Sequence, residues 1–373
     1  MHMLDKLALV AALVMLSTFV GVQSTLADIE VNTCGQAFAG DGFLSADLDC
    51  TGFAGGAVEI EGGTLDLRGF TLIGGAGGVG CSKSCIVYSN PPGGKVANAT
   101  GGGIGGPESV TVLGVIVEGN STGGFTNGVG SGKGRLRIVD SSIVNNGGCG
   151  VVSLDGRVQL VGSTVTGSPI GVCAQHNARV EDSIVSANDD GLLVGGRAVI
   201  KNSDVSGNTG TGIHADQAAI IDTQVNNNDG HGLVVTGLSG NGQRLKIVRS
   251  TFNAGGAAAI VAGIPTHIAD SEISGNAWQG VVADVGPVHI ARTSIVSNGF
   301  SGVSVGTGFP FCRLGVVDST VVGNGTDASC GSTQTCADLA ACDVPRLMQV
   351  ACDSSYDVNS GFPGTDWGVC ALD

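Results

Sequence analysis

The sequence predicts an all-β chain, a single-stranded right-handed parallel β-helix (a solenoid) with disulfide-rich ends. A phrase of the type Asp-Ser-Ser-Ile-Val-Asn-Asn recurs over residues 134–325. Its columns keep one apolar alternation from repeat to repeat. With 65 glycines and only 4% aromatic residues, the composition suits tightly wound coils with small branched residues inside.

The phrase stands at residues 140–146, 202–208, 222–228, 270–276 and 318–324. Taking its branched apolar residue as a marker gives Ile143, Val165, Ile184, Val205, Val225, Phe252, Ile273, Ile295 and Val321. A period near 20 that tolerates insertions is the mark of a solenoid. Apolar residues recur five positions before the marker (Ile138, Leu160, Ile200, Ile220, Ile247, Ile268, Ile290, Val316) and seven before it (Leu136, Val158, Leu245, Val288, Leu314), which is strand alternation with one face inward. After the marker come Asn, usually Gly, and a second short strand, as at residues 150–152, 191–194 and 232–235. Each unit is too short to fold alone and buries its apolar face by stacking on the next. Parallel strands joined by crossovers take the right-handed sense.

Stacking turns columns into ladders with a rise of about 4.8 Å per coil. Three residues after the marker the column reads Asn146, Ser168, Ala187, Asn208, Asn228, Gly255, Asn276, Asn298 and Asn324, an asparagine ladder around a turn. Two before it stand Ser141, Ser163, Asp182, Ser203, Thr223, Ser250, Ser271, Thr293 and Ser319. Columns repeated in every coil are structural, since a site uses a residue once. Three before the marker, Asp222, Arg249, Asp270, Arg292 and Asp318 alternate in sign, as mutual pairing between coils would select.

In chain order, residues 1–27 read as a signal peptide, with Lys6, an apolar run from Leu7 to Val22 and small residues up to Ala27. Residues 28–74 are expected to form an N-terminal cap and first coils, 75–133 glycine-rich irregular coils and loops, 134–325 the regular coils, and 326–373 a Cys-rich C-terminal cap. All 12 cysteines follow the signal, which argues for an oxidising compartment and for caps stapled by disulfides. Cys149 and Cys173 fall in adjacent coils at offset columns, so their pairing stays open. A zinc site at Cys81 and Cys85 would need two further ligands that the neighbouring sequence does not offer.

The opening of the mature chain carries Cys34, then Leu48-Asp49-Cys50-Thr51-Gly52, then Thr64-Leu65-Asp66-Leu67-Arg68-Gly69-Phe70-Thr71-Leu72-Ile73-Gly74. This resembles the start of secreted right-handed parallel β-helix repeat proteins of the pectin-lyase-like fold superfamily, with Arg68 and Phe70 where Asn and His are usual. The resemblance implies the fold and no single activity, since that superfamily holds lyases, hydrolases and epimerases. Its polygalacturonase-type glycosidases carry Asn-Thr-Asp, Asp-Asp, Gly-His-Gly and Arg-Ile-Lys on neighbouring coils. The counterparts here are Asn188-Asp189-Asp190, Gly230-His231-Gly232 and Arg244-Leu245-Lys246, so the catalytic candidates are Asp189, Asp190, His231, Arg244 and Lys246. The first Asp motif is missing, and the Ile213 coil intervenes between Asp190 and His231. The bland reading is that Gly-X-Gly is this repeat's own turn.

One outward column reads Lys246, His267 and His289, where stacked imidazoles could take an anion or, when neutral, a metal; solvated surface is the competing reading. The outward column of the second strand (Val152, Cys173, Leu193, His214, Val234, Val282, Ser304) is largely apolar and reads as a contact face. A formal net charge of −15 argues against nucleic acid and disfavours a polyanionic glycan unless Ca²⁺ bridges it. No second apolar run is long enough to span a membrane. The expectation is an exported scaffold or binding module of the cell envelope or extracellular space, secreted or periplasmic, non-catalytic and without a resident cofactor, with a polysaccharide or an envelope protein as ligand. The alternative is a polysaccharide hydrolase or lyase.

Overall fold

The computed structural model describes residues 28–120, 127–237, 244–283, 287–305, 314–324, 326–330 and 348–352. The signal segment lies outside these residues, as do Cys312, Cys336, Cys342 and Cys370 of the C-terminal region. What is described is a parallel β-solenoid of about 12 turns with no helix.

Each coil has three walls. The first carries Leu136 and Ile138 inward, the second is a three-residue strand such as Ser142–Val144, and the third begins near Cys149. Strands pass from the third wall of one coil into the first wall of the next without a break, as in Val129–Val139 and Cys149–Val161, which pair along ten residues. The inward side chains Leu136, Ile138, Ile143 and Val151 have no solvent exposure, and their equivalents stack up the axis as one continuous core. Burial of this stack is the main stabilising contribution, because no coil could exclude water from its apolar face alone.

Both corners flanking the second wall require a left-handed residue. Before the wall this position is Asp140, Gly162, Asp182, Asn202, Asp222, Arg249, Asp270, Arg292 and Asp318, with φ between 47° and 58°. After it stand Asn145, Gly167, Ala187, Gly207, Asn227 and their successors. Gly, Asn and Asp are the residues that enter this region most readily, which accounts for their recurrence in the repeat.

Two ladders seal the corners. In the first, the hydroxyls of Ser163, Ser183, Ser203, Ser250, Ser271 and Ser319 accept the N–H of the preceding coil and donate to the carbonyl two residues back. Ser163 Oγ accepts from Ser141 N at 3.1 Å and donates to Val161 O at 2.8 Å. In the second, Asn188 Nδ2 donates to Asn208 Oδ1 at 3.2 Å and Asn208 Nδ2 to Asn228 Oδ1 at 2.8 Å, and the pattern resumes from Asn276 through Asn298 to Asn324. Glycine opens the third wall because a Cβ at Gly171, Gly191 or Gly212 would come within 3.1 Å of the Nδ2 of Asn188, Asn208 or Asn228.

One coil corrects the sequence register. Val165 pairs with Val185, so Val185 is the inward residue and Ile184 faces solvent, 44% exposed. The ladder members are therefore Ser183 and Asn188 in place of Asp182 and Ala187. Two adjacent branched residues offered equal markers; an even step of 20 from Val165 through Val185 and Val205 to Val225 selects the second.

Strands also continue through the glycine-rich stretch, with Gly77–Cys81, Cys85–Tyr88, Gly94–Ala97 and Ile104–Gly106 stacked in register. Among the described residues three disulfides join Cys34 to Cys50, Cys81 to Cys85 and Cys149 to Cys173. The Cys81–Cys85 bridge removes both thiolates from any zinc site. Cys149 and Cys173 are bridged despite their offset, because their Cα atoms lie 6.0 Å apart across adjacent coils.

Candidate functional site

The candidate catalytic residues divide between two places. Asp189, Asp190 and His231 lie where the second wall turns into the third, whereas Arg244 and Lys246 face outward from the first wall. Asp190 and His231 do share a column, but Thr211 stands between them, so two coil rises, about 10 Å, separate the carboxylate from the imidazole. That is beyond hydrogen-bond reach of one reacting atom. Both carboxylates serve the turn: Asp190 Oδ1 accepts from Thr211 N at 2.8 Å, and Asp189 Oδ1 from Thr209 Oγ1 at 3.3 Å. His231 Nδ1 lies 3.3 Å from Ala258 O. Asn188 is 2% exposed and belongs to the asparagine ladder.

The first wall gathers charge instead. Its outward column six positions before the marker reads Arg137, Gln159, Arg179, Val199, Ala219, Lys246, His267 and His289 on successive coils. Two residues earlier on the same strands stand Arg135, Arg157, Asn177, Arg197, Gln217 and Arg244. Together these hold seven of the chain's 17 lysines and arginines, four in the second column and three in the first. All seven are exposed. Among the described residues only Arg179 has a carboxylate partner, Glu181 at 2.5 Å. That bond holds the Glu181 carboxyl below its ordinary pKa and raises that of Arg179. Arg135, Arg137, Arg157, Arg197, Arg244 and Lys246 make no ion pair among the described residues.

This cationic wall was visible as columns but not assembled from sequence. Reading the marker at Ile184 shifts that coil by one and replaces Arg179 with buried Ala178. The net charge of −15 is a sum over the whole chain and concealed these two basic columns. The signal available was the columns six and eight before the marker, followed through every coil.

At the corner beside this wall the alternating column pairs as its signs require. Arg249 holds Asp222 through two bonds of 2.6 and 2.7 Å, and Arg292 holds Asp270 through two of 2.6 and 2.9 Å. Each guanidinium keeps its carboxylate below the usual pKa range. His267 and His289 stack with ring centroids 5.1 Å apart and planes 21° from parallel. Burial, then His289, Lys246, Arg292 and Arg244, push the His267 imidazole below its ordinary pKa. No group of three or more His, Cys, Asp or Glu residues is placed to hold a metal ion among the described residues. The apolar column of the third wall is in register as expected, with Val261 between Val234 and Val282. No helix among the described residues is long and apolar enough to cross a membrane.

Comparison with known proteins gives the fold. Residues 123–263 match the family described as "right handed beta helix region". No curated protein matches the sequence. Among solved structures, the periplasmic alginate epimerase AlgG is 13% identical, covering 85% of this chain and 85% of its own at a TM-score of 0.50. A point mutant of that epimerase is 11% identical, covering 85% of this chain and 84% of its own at a TM-score of 0.50. The chain is thus a right-handed parallel β-helix of the pectin-lyase-like fold, similar in architecture to alginate epimerases at low identity.

Proposed function

We propose that this chain is an exported, non-catalytic β-helix of the cell envelope or extracellular space that binds an acidic polysaccharide along its first wall. The observation that carries the reading is the set of six exposed cations without ion pairs among the described residues, standing on four of six successive coils of one wall. The first and last rungs are about 24 Å apart. Cations left without acids along a straight path suit a ligand that brings its own regularly spaced negative charges, and binding would be read out by its salt dependence. Three disulfides favour an oxidising compartment, consistent with export. The likeness to alginate epimerases supports a polysaccharide as the class of ligand to try first.

A hydrolase or lyase reading draws less support, since the two carboxylates cap turns and the basic residues face another wall. The test is equilibrium binding of the oxidised chain to alginate and polygalacturonate across a salt series, with and without Ca²⁺, beside an assay for released reducing ends and unsaturated products. The expected result is salt-sensitive binding, weakened by roughly tenfold for each of Arg157→Gln and Arg197→Gln, the equivalent of one charge-assisted hydrogen bond. Binding indifferent to both substitutions would refute the wall. Product release abolished by Asp190→Asn would restore the enzyme.

A further inference from the structure

We propose that His267 and His289 form a proton-dependent anion subsite that lengthens the cationic wall when both imidazoles are charged. The proposal rests on the acidic-polysaccharide reading above. The two rings occupy the coils directly after Lys246 in the same outward column, and beyond His289 the column ends at Gly315, which carries no side chain. Their surroundings are cationic. Lys246 and Arg244 stand on the neighbouring strand, and Arg249 and Arg292 at the adjoining corner. The acid of that corner near His267, Asp270, has both oxygens engaged by Arg292, and Asp318 acts on Arg292 from the next coil. Neither imidazole has a carboxylate of its own among the described residues.

Two consequences follow from stacking at 5.1 Å. Burial and the surrounding cations hold the His267 imidazole below its ordinary pKa, and charge on His289 opposes its protonation. A glycan carboxylate lying over both rings removes that repulsion and favours the doubly charged state. The wall then ends at Lys246 at neutral pH and extends by two further coils, about 10 Å, on acidification. Binding and protonation are reciprocal: an anion that tightens as the rings charge must itself raise their pKa. The sign is fixed. The ligand raises the imidazole pKa above the value in the free protein, so affinity climbs as pH falls from the bound-state pKa towards the free-state pKa and levels off below it.

The probe is a size-defined oligogalacturonate long enough to cover the wall, whose carboxylates stay ionised throughout, measured by calorimetry at about pH 7.5 and about pH 5.5, either side of the ordinary imidazole pKa. The full oxidised chain should bind roughly tenfold more tightly at the lower pH, matching a rise of about one unit in one imidazole pKa. The doubly substituted His267→Gln, His289→Gln chain should retain less than about a threefold ratio. A second readout needs no variant: NMR titration of the imidazoles should show His267 and His289 moving up on adding the probe while His214, on the third wall, stays in place. A full pH ratio in the double variant, or unmoved titrations in the presence of bound probe, overturns the subsite and leaves the wall standing. Absence of wild-type binding at both values overturns the wall and the subsite together.

Discussion

Asn188 donates its side-chain amide to Asn208 Oδ1 across one coil, at 3.2 Å, and Asn208 Oδ1 also accepts the Asn188 backbone N–H at 3.0 Å. The first residue of an Asn-Asp-Asp triplet that resembled catalytic machinery is thereby occupied in holding a corner. Replacing Asn208 with Ala leaves the buried Asn188 backbone N–H without its acceptor and removes the amide donor to Asn228 Oδ1, which keeps only the bond from the backbone N–H of residue 208. The expected cost is about 2–3 kcal/mol, seen as a lower denaturation midpoint with the strand signal in circular dichroism retained below it.

Ser168 interrupts that ladder, and its Oγ is the one buried side-chain oxygen or nitrogen without a hydrogen-bond partner among the described residues. The space for an amide is already present, because the glycine that makes room for Asn188 at position 171 has its counterpart beside Ser168 at position 150. Ser168→Asn should raise stability by about 1 kcal/mol, measured as an upward shift in melting temperature. A destabilised variant would show that the Pro169 turn sets this corner's shape.

The Cys149–Cys173 bridge closes a loop across two coils in the middle of the described solenoid, with a sequence separation of 24. Replacing both cysteines with Ser should cost about 3 kcal/mol through the freed unfolded chain. Equilibrium denaturation of the variant beside the oxidised wild type measures it.

The paired corner predicts an acid limb. Asp222 and Asp270 have carboxyl pKa values depressed chiefly by the guanidinium bonds from Arg249 and Arg292. A depressed carboxylate contributes stability that is complete above its unfolded pKa of about 3.9 and lost as pH falls towards the folded value. In Asp270→Asn that part of the loss below about pH 4 should disappear, and added salt should shrink the wild-type limb because both pairs are exposed. Melting temperature against pH for the two chains decides it.

The repeat alone fixed the architecture. A period near 20, inward alternation and recurrent Asn and Ser columns report local geometry that each coil imposes on the next, so they can be read without coordinates. The pairing of Arg249 with Asp222 followed in the same way, from sign alternation in one column. What the tertiary structure decided lies across columns and walls. Only coil-to-coil pairing chose Val185 over Ile184, because both are branched and apolar and a one-residue slip exchanges inside for outside. Only the folded walls separated Asp190 from Lys246 and showed that Arg135, Arg157 and Arg197, already aligned in one column, stand exposed without acid partners among the described residues, since a residue's wall and neighbours depend on where each turn bends the chain.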